Sequence, residues 1–510
     1  MNNNKPNLPT NNPLIPSILQ QSTPTYNSIQ PIKAKKPKEL FLSDLQNINK
    51  FIKTNPHTQS KLHVYPETFQ PNIRKNVLLN KISHIFQHEK LITSLQYTIQ
   101  PQTASETAFT LSKLKDLHHL TSLDLSLFST TFCTPYFLKS LSIILSRFKQ
   151  LTSFRFAFPF DFDLFPQLFS SLFFALPRLN SLKNLSLHFD YVTSSNNPSW
   201  LITLASCLKK LAHLKSLNLT FGSCFSIGDS VLSSLAPVFK GLSSLETLNI
   251  YLSDFDSLRN DDILTFFASL KESKSLKNLA LSFENSQIDT TNPEPISKGL
   301  SLLNPSQLKS LKLKYYSDID DDISEQLAIA LQRFSSLQEL ALDLSGDYMI
   351  SDEGLNKLAA SIQTLQSLCS LNIKVFEASQ LINSVKIIGN MVKSLAHLTD
   401  LELDFTQQIG VDDLQLISFS ENLKNLTNLK RLSLGLSQLE EITDNGLMAL
   451  SESLGHLPNL ESLRLGLVNM KMLSNNGILK FSLALKSLNH LKSLSLNMPG
   501  NQDFEEEEGR

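Results

Sequence analysis

The block L-x-x-L-x-L-x-[L/F] returns along this chain at nearly fixed intervals, and that periodicity limits the possible folds more than any other feature. It reads LTSLDLSL from Leu120, LTSFRFAF from Leu151, LKNLSLHF from Leu182, LKSLNLTF from Leu214 and LETLNIYL from Leu245. LKNLALSF (Leu276), LKSLKLKY (Leu308), LQELALDL (Leu337) and LCSLNIKV (Leu368) follow. LTDLELDF (Leu398), LKRLSLGL (Leu429), LESLRLGL (Leu460) and LKSLSLNM (Leu491) complete the series. From the first of these blocks to the last, the step averages about 31 residues, the signature of a repeat architecture. A degenerate earlier copy, ITSLQYTI, starts at Ile92.

Each unit has two halves with different periods. The L-x-L-x-[L/F] core alternates with period two, which predicts a strand with one face buried. The stretch after it steps by three and four: Leu355, Leu358, Ile362 and Leu365, then Leu447, Leu450, Leu454 and Leu457 a few units later. That is helical spacing, and Ser351-Asp352, Thr443-Asp444 and Ser474-Asn475 stand where N-caps belong. Strands joined by helical crossovers run parallel, and at fixed length they stack into a solenoid. A parallel strand covered on both faces would be continuously apolar. These alternate, so one sheet face meets water. Thirteen such strands extend about 58 Å along their arc. The even spacing leaves no room for an inserted domain between Leu123 and Leu494.

This pattern resembles the leucine-rich repeat family, most closely its long-repeat, ribonuclease-inhibitor-like branch. The unit ISDEGLNKLAASIQTLQSLCSLNI, residues 350–373, is especially similar to it. The resemblance implies an α/β horseshoe of about 13–14 strand-helix repeats, the parallel sheet concave and the helices convex, and a function in protein binding. One departure stands out. Where the family usually places an asparagine after the strand, this chain has residues such as Phe128, Gly222, Glu284 and Val468. One position earlier an apolar side chain recurs, among them Leu127, Phe158, Phe189, Phe221, Leu252, Phe283, Leu344 and Phe405. Apolar stacking is expected to replace the asparagine ladder.

Four segments follow from composition. Residues 1–38 hold seven of the 22 prolines with many Asn, Ser and Gln, and read as a disordered arm. Its lysines Lys33, Lys35, Lys36 and Lys38 are a solvated run or, alternatively, a nuclear-import signal. Residues 39–90 read as a mostly helical cap, 91–498 as the solenoid, and 499–510 as an acidic tail. The 46 Lys and Arg nearly cancel the 47 Asp and Glu, so net charge argues for neither nucleic acid nor an anionic membrane as partner. Neither a signal peptide nor a spanning helix is evident, and the four scattered cysteines read as free, core-packed thiols of a reducing compartment. The expected location is the cytoplasm, with the nucleus as the alternative.

Chemistry-bearing motifs are missing: no phosphate loop, dinucleotide fingerprint, H-E-x-x-H or nucleophile elbow. His84 and His88 share a helix-like spacing, but no third ligand accompanies them, and they read as surface histidines. No metal and no cofactor is expected. Trp200, at a helix start, reads as local packing in preference to a binding hot spot.

The candidate site is the wet sheet face. Arg155, His188, Tyr251 and Arg464 punctuate its small polar residues, with Tyr251 the single aromatic anchor. Lys312, Lys314 and Lys374 form a basic patch, and Glu339, Asp343, Asp400, Glu402 and Asp404 an acidic one beside it. Such a bipolar strip orients a charged partner; equally, the two clusters neutralise each other. The reading is a non-enzymatic scaffold that binds a protein partner on the concave face. Two alternatives stay open: a substrate-recognition adaptor of a ubiquitin ligase, for which residues 39–90 show no convincing F-box pattern, and a GTPase-activating regulator of the leucine-rich repeat type.

Overall fold

The computed structural model describes residues 38–41, 60–64, 92–99 and 114–498, apart from 116, 118 and short loop stretches, the longest being 128–134, 159–165, 191–198, 223–230 and 287–294. Sixteen strands form one sheet in chain order. They are β1 (Lys38–Phe41), β2 (Ser60–Val64), β3 (Ile92–Ile99), β4 (Ser122–Leu127), β5 (Ser153–Phe158), β6 (Asn184–Asp190), β7 (Ser216–Gly222) and β8 (Thr247–Ser253). β9 (Asn278–Glu284), β10 (Ser310–Tyr315), β11 (Glu339–Asp343), β12 (Ser370–Lys374), β13 (Asp400–Asp404), β14 (Arg431–Gly435), β15 (Ser462–Gly466) and β16 (Ser493–Asn497) follow. From β4 onward a helix fills each crossover: α1 (Pro135–Leu145), α2 (Pro166–Phe173), α3 (Ser199–Leu208), α4 (Val231–Phe239), α5 (Asn260–Leu270) and α6 (Pro295–Leu302). The later ones are α7 (Asp321–Gln332), α8 (Asp352–Gln363), α9 (Ser384–Val392), α10 (Asp413–Leu423), α11 (Asp444–Leu454) and α12 (Asn475–Leu485).

The chain is therefore an α/β solenoid of leucine-rich strand-helix repeats, as the periodicity predicts. Every adjacent pair of strands is parallel, and apart from one shift at Ser60–Lys61 between β2 and β3 the register is kept, so the repeat leucines form rows: Leu311, Leu340, Leu371, Leu401, Leu432 and Leu463 are successive partners. Strands of a sheet stand about 4.8 Å apart, whereas packed helices need about 8–10 Å. That mismatch bends the stack and puts the sheet on its inner wall. Behind the sheet lies one continuous apolar cluster running from Leu95 to Leu485.

The residue after the alternating core behaves as expected. Phe158, Phe189 and Phe221 stack with successive ring centroids 5.4 Å apart and nearly parallel planes. Leu252, Phe283, Leu344, Val375, Phe405, Leu436 and Leu467 are all buried at the same step. Trp200 is buried against Phe173, Phe189 and Phe221, a packing role.

One expectation needs correction, and the segment 39–90 contributes strands where it is described. Within 39–90 the described residues are not helical: β1 and β2 carry the parallel sheet on past β3. Short apolar runs such as KELF and SKLHV lack the leucine signature, and helix and strand cannot be told apart in runs so short. The rest of that segment, with His84 and His88, lies outside the described residues, as do most of the arm and the acidic tail. Cys207 is buried as expected, but Cys369 is exposed. It occupies the residue before the strand, which faces the rim and not the core.

Helix starts carry a second ladder that the leucine pattern hides. Ser351, Thr443 and Ser474 cap α8, α11 and α12, their hydroxyls accepting from Glu353 N–H, Asn445 N–H and Gly477 N–H. Each cap is in turn tied to the preceding repeat. Asp321 accepts from Ser351 N–H at 2.9 Å, Ser351 Oγ–H at 2.6 Å and Gly354 N–H at 3.1 Å. Asp413 repeats the arrangement with Thr443 and Gly446, and Asp444 with Ser474. A Cβ added to Gly354, Gly446 or Gly477 would lie 2.4, 2.5 or 1.9 Å from the aspartate oxygen behind it, so glycine is required there by space.

Candidate functional site

Residues that flank the buried leucines point from the inner wall into solvent, in three parallel rows set by the register. One row runs Asp124, Arg155, Ser186, Asn218 along β4 to β7. Beside it run Ser122, Ser153, Asn184 and Ser216, and Ala157, His188 and Thr220. Here the inner wall encloses a slot of about 290 Å³, lined by Ser94, Gln96, Asp124, Arg155, Ser186 and Asn218 among others. Ten of its fourteen lining residues carry side chains that can form hydrogen bonds, and the other four are Leu95, Leu123, Phe154 and Leu185.

Arg155 organises the slot. Its guanidinium pairs with Asp124 at 3.5 Å and donates from Nε to His188 Nε2 at 3.2 Å. Because Nε2 accepts, His188 carries its proton on Nδ1. The Ser186 hydroxyl lies 2.9 Å from that same Nε2. A serine beside a histidine invites a nucleophilic reading, which the chemistry rejects. Burial and then the Arg155 charge lower the His188 pKa to about 4, so the imidazole is a poor base near neutral pH. Its lone pair is already shared with Arg155, and Asp124 pairs with Arg155 instead of orienting the ring. These contacts fix Arg155, Ser186 and His188 in place.

The unfolded chain takes up the His188 proton below about pH 6.5, while the folded chain resists it down to about pH 4. This residue's contribution to stability is therefore complete above pH 6.5 and is lost as pH falls through that window. His188→Gln should flatten the decline in melting temperature between pH 6.5 and 4, and an NMR titration should show no His188 midpoint near 6.5.

The central strip is a separate place. β10 lies five strands from β5, about 24 Å along the wall. In its outermost row Lys314, Asp343, Lys374, Asp404 and Gly435 are successive partners, so the charges alternate strand by strand. Lys314 pairs with Glu284 at 3.0 Å. Asp343 and Asp404 accept from Ser345 N–H and Thr406 N–H, turning their carboxylates toward the strand ends. Gly435 leaves the space for Asp404: a Cβ there would come within 2.3 Å of Oδ1. Glu339 accepts from Ser310 Oγ–H at 3.0 Å, and Asp400 is ion-paired with Arg431.

The strip is thus largely self-compensated. Lys374, lying between Asp343 and Asp404, closes no ion pair among the described residues. Lys312, Glu402 and Arg464 occupy the middle row, Glu402 and Arg464 exposed and two strands apart. Tyr251 lies between Thr220 and Ser282, in the row of Lys314 and two strands before it. The structure therefore joins Arg155 to His188 and Lys314 to Glu284, sets Lys374 between Asp343 and Asp404, and leaves Arg464 apart. Asp124, Ser186 and Asn218 complete the slot. Opposite charges one repeat apart in a single row, Asp124 and Arg155, were the available signal for it.

Among the described residues no cluster of histidine, cysteine and carboxylate side chains could hold a metal ion, and no helix is long and apolar enough to cross a membrane. No family model matches the chain, and no curated protein matches it. Solved structures similar to it include a leucine-rich repeat protein of Leptospira interrogans, 15% identical, covering 89% of this chain and 99% of that one at a TM-score of 0.38. A structure of the Rad7 and Elc1 complex in yeast is 19% identical, covering 80% and 96% at 0.40. A TLR13–ssRNA13 complex is 16% identical, covering 83% and 65% at 0.34. The solenoid is established by this chain's own register and not by these likenesses.

Proposed function

We propose that this protein is a non-catalytic interaction scaffold of the ribonuclease-inhibitor-like kind, acting in the cytoplasm, whose inner wall binds an extended segment of a partner protein. The observation that carries this reading is the slot. Its array of hydroxyl and amide groups suits a polypeptide backbone, and the Arg155–Asp124 pair at its centre offers one charge of each sign to the partner's polar groups. Side chains already held by their neighbours lose little entropy on docking, which favours binding by preorganisation. The alternating charges of β10 to β13 suit a second, charged portion of the same segment and set its direction. With Tyr251 the single large aromatic side chain on the outward rows of β4 to β16, recognition along that length is polar.

Affinity capture with the intact chain, compared with two charge-reversed variants, tests the proposal. Arg155→Glu should remove a defined set of captured proteins. The pair Lys312→Glu with Lys314→Glu should weaken acidic members of that set about tenfold, equivalent to about 1.4 kcal/mol, with melting unchanged. Identical profiles for all three proteins would exclude the inner wall as the contact surface.

A further inference from the structure

The near-zero net charge conceals a segregation that appears only once the repeats are stacked. The turns that lead from each helix into the next strand lie together along one lateral rim of the solenoid. From β6 to β10 they read LPRLNSLKN (176–184), LKKLAHLKS (208–216), FKGLSSLET (239–247), LKESKSLKN (270–278) and LLNPSQLKS (302–310). Together they hold nine lysines and one arginine against two glutamates.

Backbone hydrogen bonds fix the geometry of this rim. Lys215 N–H donates to Lys183 O, Glu246 N–H to Lys215 O, Lys277 N–H to Glu246 O and Lys309 N–H to Lys277 O, at 2.7–2.9 Å. Lys183, Lys215, Glu246, Lys277 and Lys309 are therefore one row, about 4.8 Å per step and about 19 Å long. Glu246 is clamped between Lys215 at 2.7 Å and Lys277 at 2.9 Å. Behind the row, Lys209, Lys210, Lys240, Lys271 and Lys274 are exposed at the helix ends. Among the described residues, none of those five closes an ion pair.

Cations at helix C-termini complement the helix dipole, and Lys271, the C-cap of α5, is explained that way. The row itself is not, because its lysines stand at strand starts. Nor does the repeat require it. The equivalent turn before β12, QTLQSLCS (363–370), holds no charge at all, although the helix it follows has the same dipole.

We infer that this basic rim is a second docking surface, beyond the inner wall, and that it takes an acid-rich polypeptide segment. Two features favour a polypeptide over a nucleic acid. Glu246 interrupts the positive row at its centre, and a polypeptide can place its carboxylates to either side of that point, whereas a strand of evenly spaced phosphates must set one beside it. The single phenylalanine, tyrosine or tryptophan of the five turns, Phe239, is buried, so no large aromatic face is offered to a base.

The test uses the full chain and a fluorescein-labelled peptide of alternating glutamate and serine, about twelve residues long, at about 0.15 M salt. Lys209→Glu, Lys210→Glu and Lys274→Glu combined break no ion pair among the described residues, and circular dichroism should show the fold unchanged. The expected result is binding by the parent chain, at least about tenfold weaker in the triple variant, and unaltered by Lys312→Glu on the inner wall. Equal binding by parent and triple variant, or none by either, overturns the rim as a docking surface. A single-stranded oligouridylate of equal charge that binds more tightly than the peptide, and is lost in the triple variant, overturns the choice of partner.

Discussion

Leu340→Asp is expected to open the central repeats, whereas Ala341→Asp, one residue along the same strand, should leave the melting curve nearly unchanged. Leu340 is 1% exposed and lies in register between Leu311 and Leu371. Truncating a buried leucine costs about 2–5 kcal/mol. Aspartate adds the penalty of a carboxyl group with no hydrogen-bond partner in an apolar row, so the total should exceed about 5 kcal/mol. Ala341 points the opposite way, into the solvent-facing row between Lys312 and Asn372. A substitution there should stay within about 0.5 kcal/mol. Long repeat arrays do not melt as a single unit, so hydrogen exchange is the better readout. Loss of protection across β10 to β12 in Leu340→Asp, with β14 and β15 still protected, is the expected pattern. Similar effects for the two substitutions would mean that the inward and outward faces have been exchanged.

What could be read from the chain follows from where its information is periodic. Leucines repeat because every repeat buries the same position against its neighbours, so strands, helices and core were legible from β3 to β16. β1 and β2 were not, since KELF and SKLHV offer alternation too short to separate from a helix turn. Cys369 misled because a residue just before a strand faces the rim whatever its polarity. The site was legible only as rows. That Asp124, Arg155 and Ser186 fall side by side follows from the period, yet the junction of Arg155 with His188 depends on rotamers that no spacing encodes. The basic rim was missed for a different reason. Net charge averages over the chain, and only the stack shows that the lysines of five turns share one edge. The left-handed positions Gln407, Gln438 and Asn469 also recur at the repeat period without a glycine to announce them.

Gly446→Ala should destabilise the C-terminal repeats, and removing the Asp413 carboxylate in the same chain should abolish most of that effect. The new Cβ would lie 2.5 Å from Asp413 Oδ1 and 3.2 Å from Leu416 Cδ2. Asp413 cannot swing aside without releasing Thr443 N–H, its hydroxyl and Gly446 N–H. Hydrogen bonds to a charged group contribute about 1.5–3 kcal/mol each when well shielded. These are partly open to water, so about 2–4 kcal/mol is expected for Asp413→Ala alone, and a similar loss for Gly446→Ala. The double variant has no clash left to relieve, and alanine is a better helix former than glycine by about 1 kcal/mol. It should therefore be no less stable than Asp413→Ala, a coupling readable in a double-mutant cycle. Strict additivity would show that the aspartate and the glycine do not meet. The equivalent Asp321 adds a pH signature. Burial pulls its pKa up, but hydrogen bonds from Ser351 Oγ–H, Ser351 N–H and Gly354 N–H outweigh burial and leave it below the ordinary carboxyl value. A depressed folded pKa means stability that is complete above the unfolded value, near pH 4, and lost as pH falls through the folded one. Asp321→Asn should therefore lower stability at neutral pH and make the C-terminal half less sensitive to acid, whereas an unchanged acid limb would remove the ladder's claim to tie one repeat to the next.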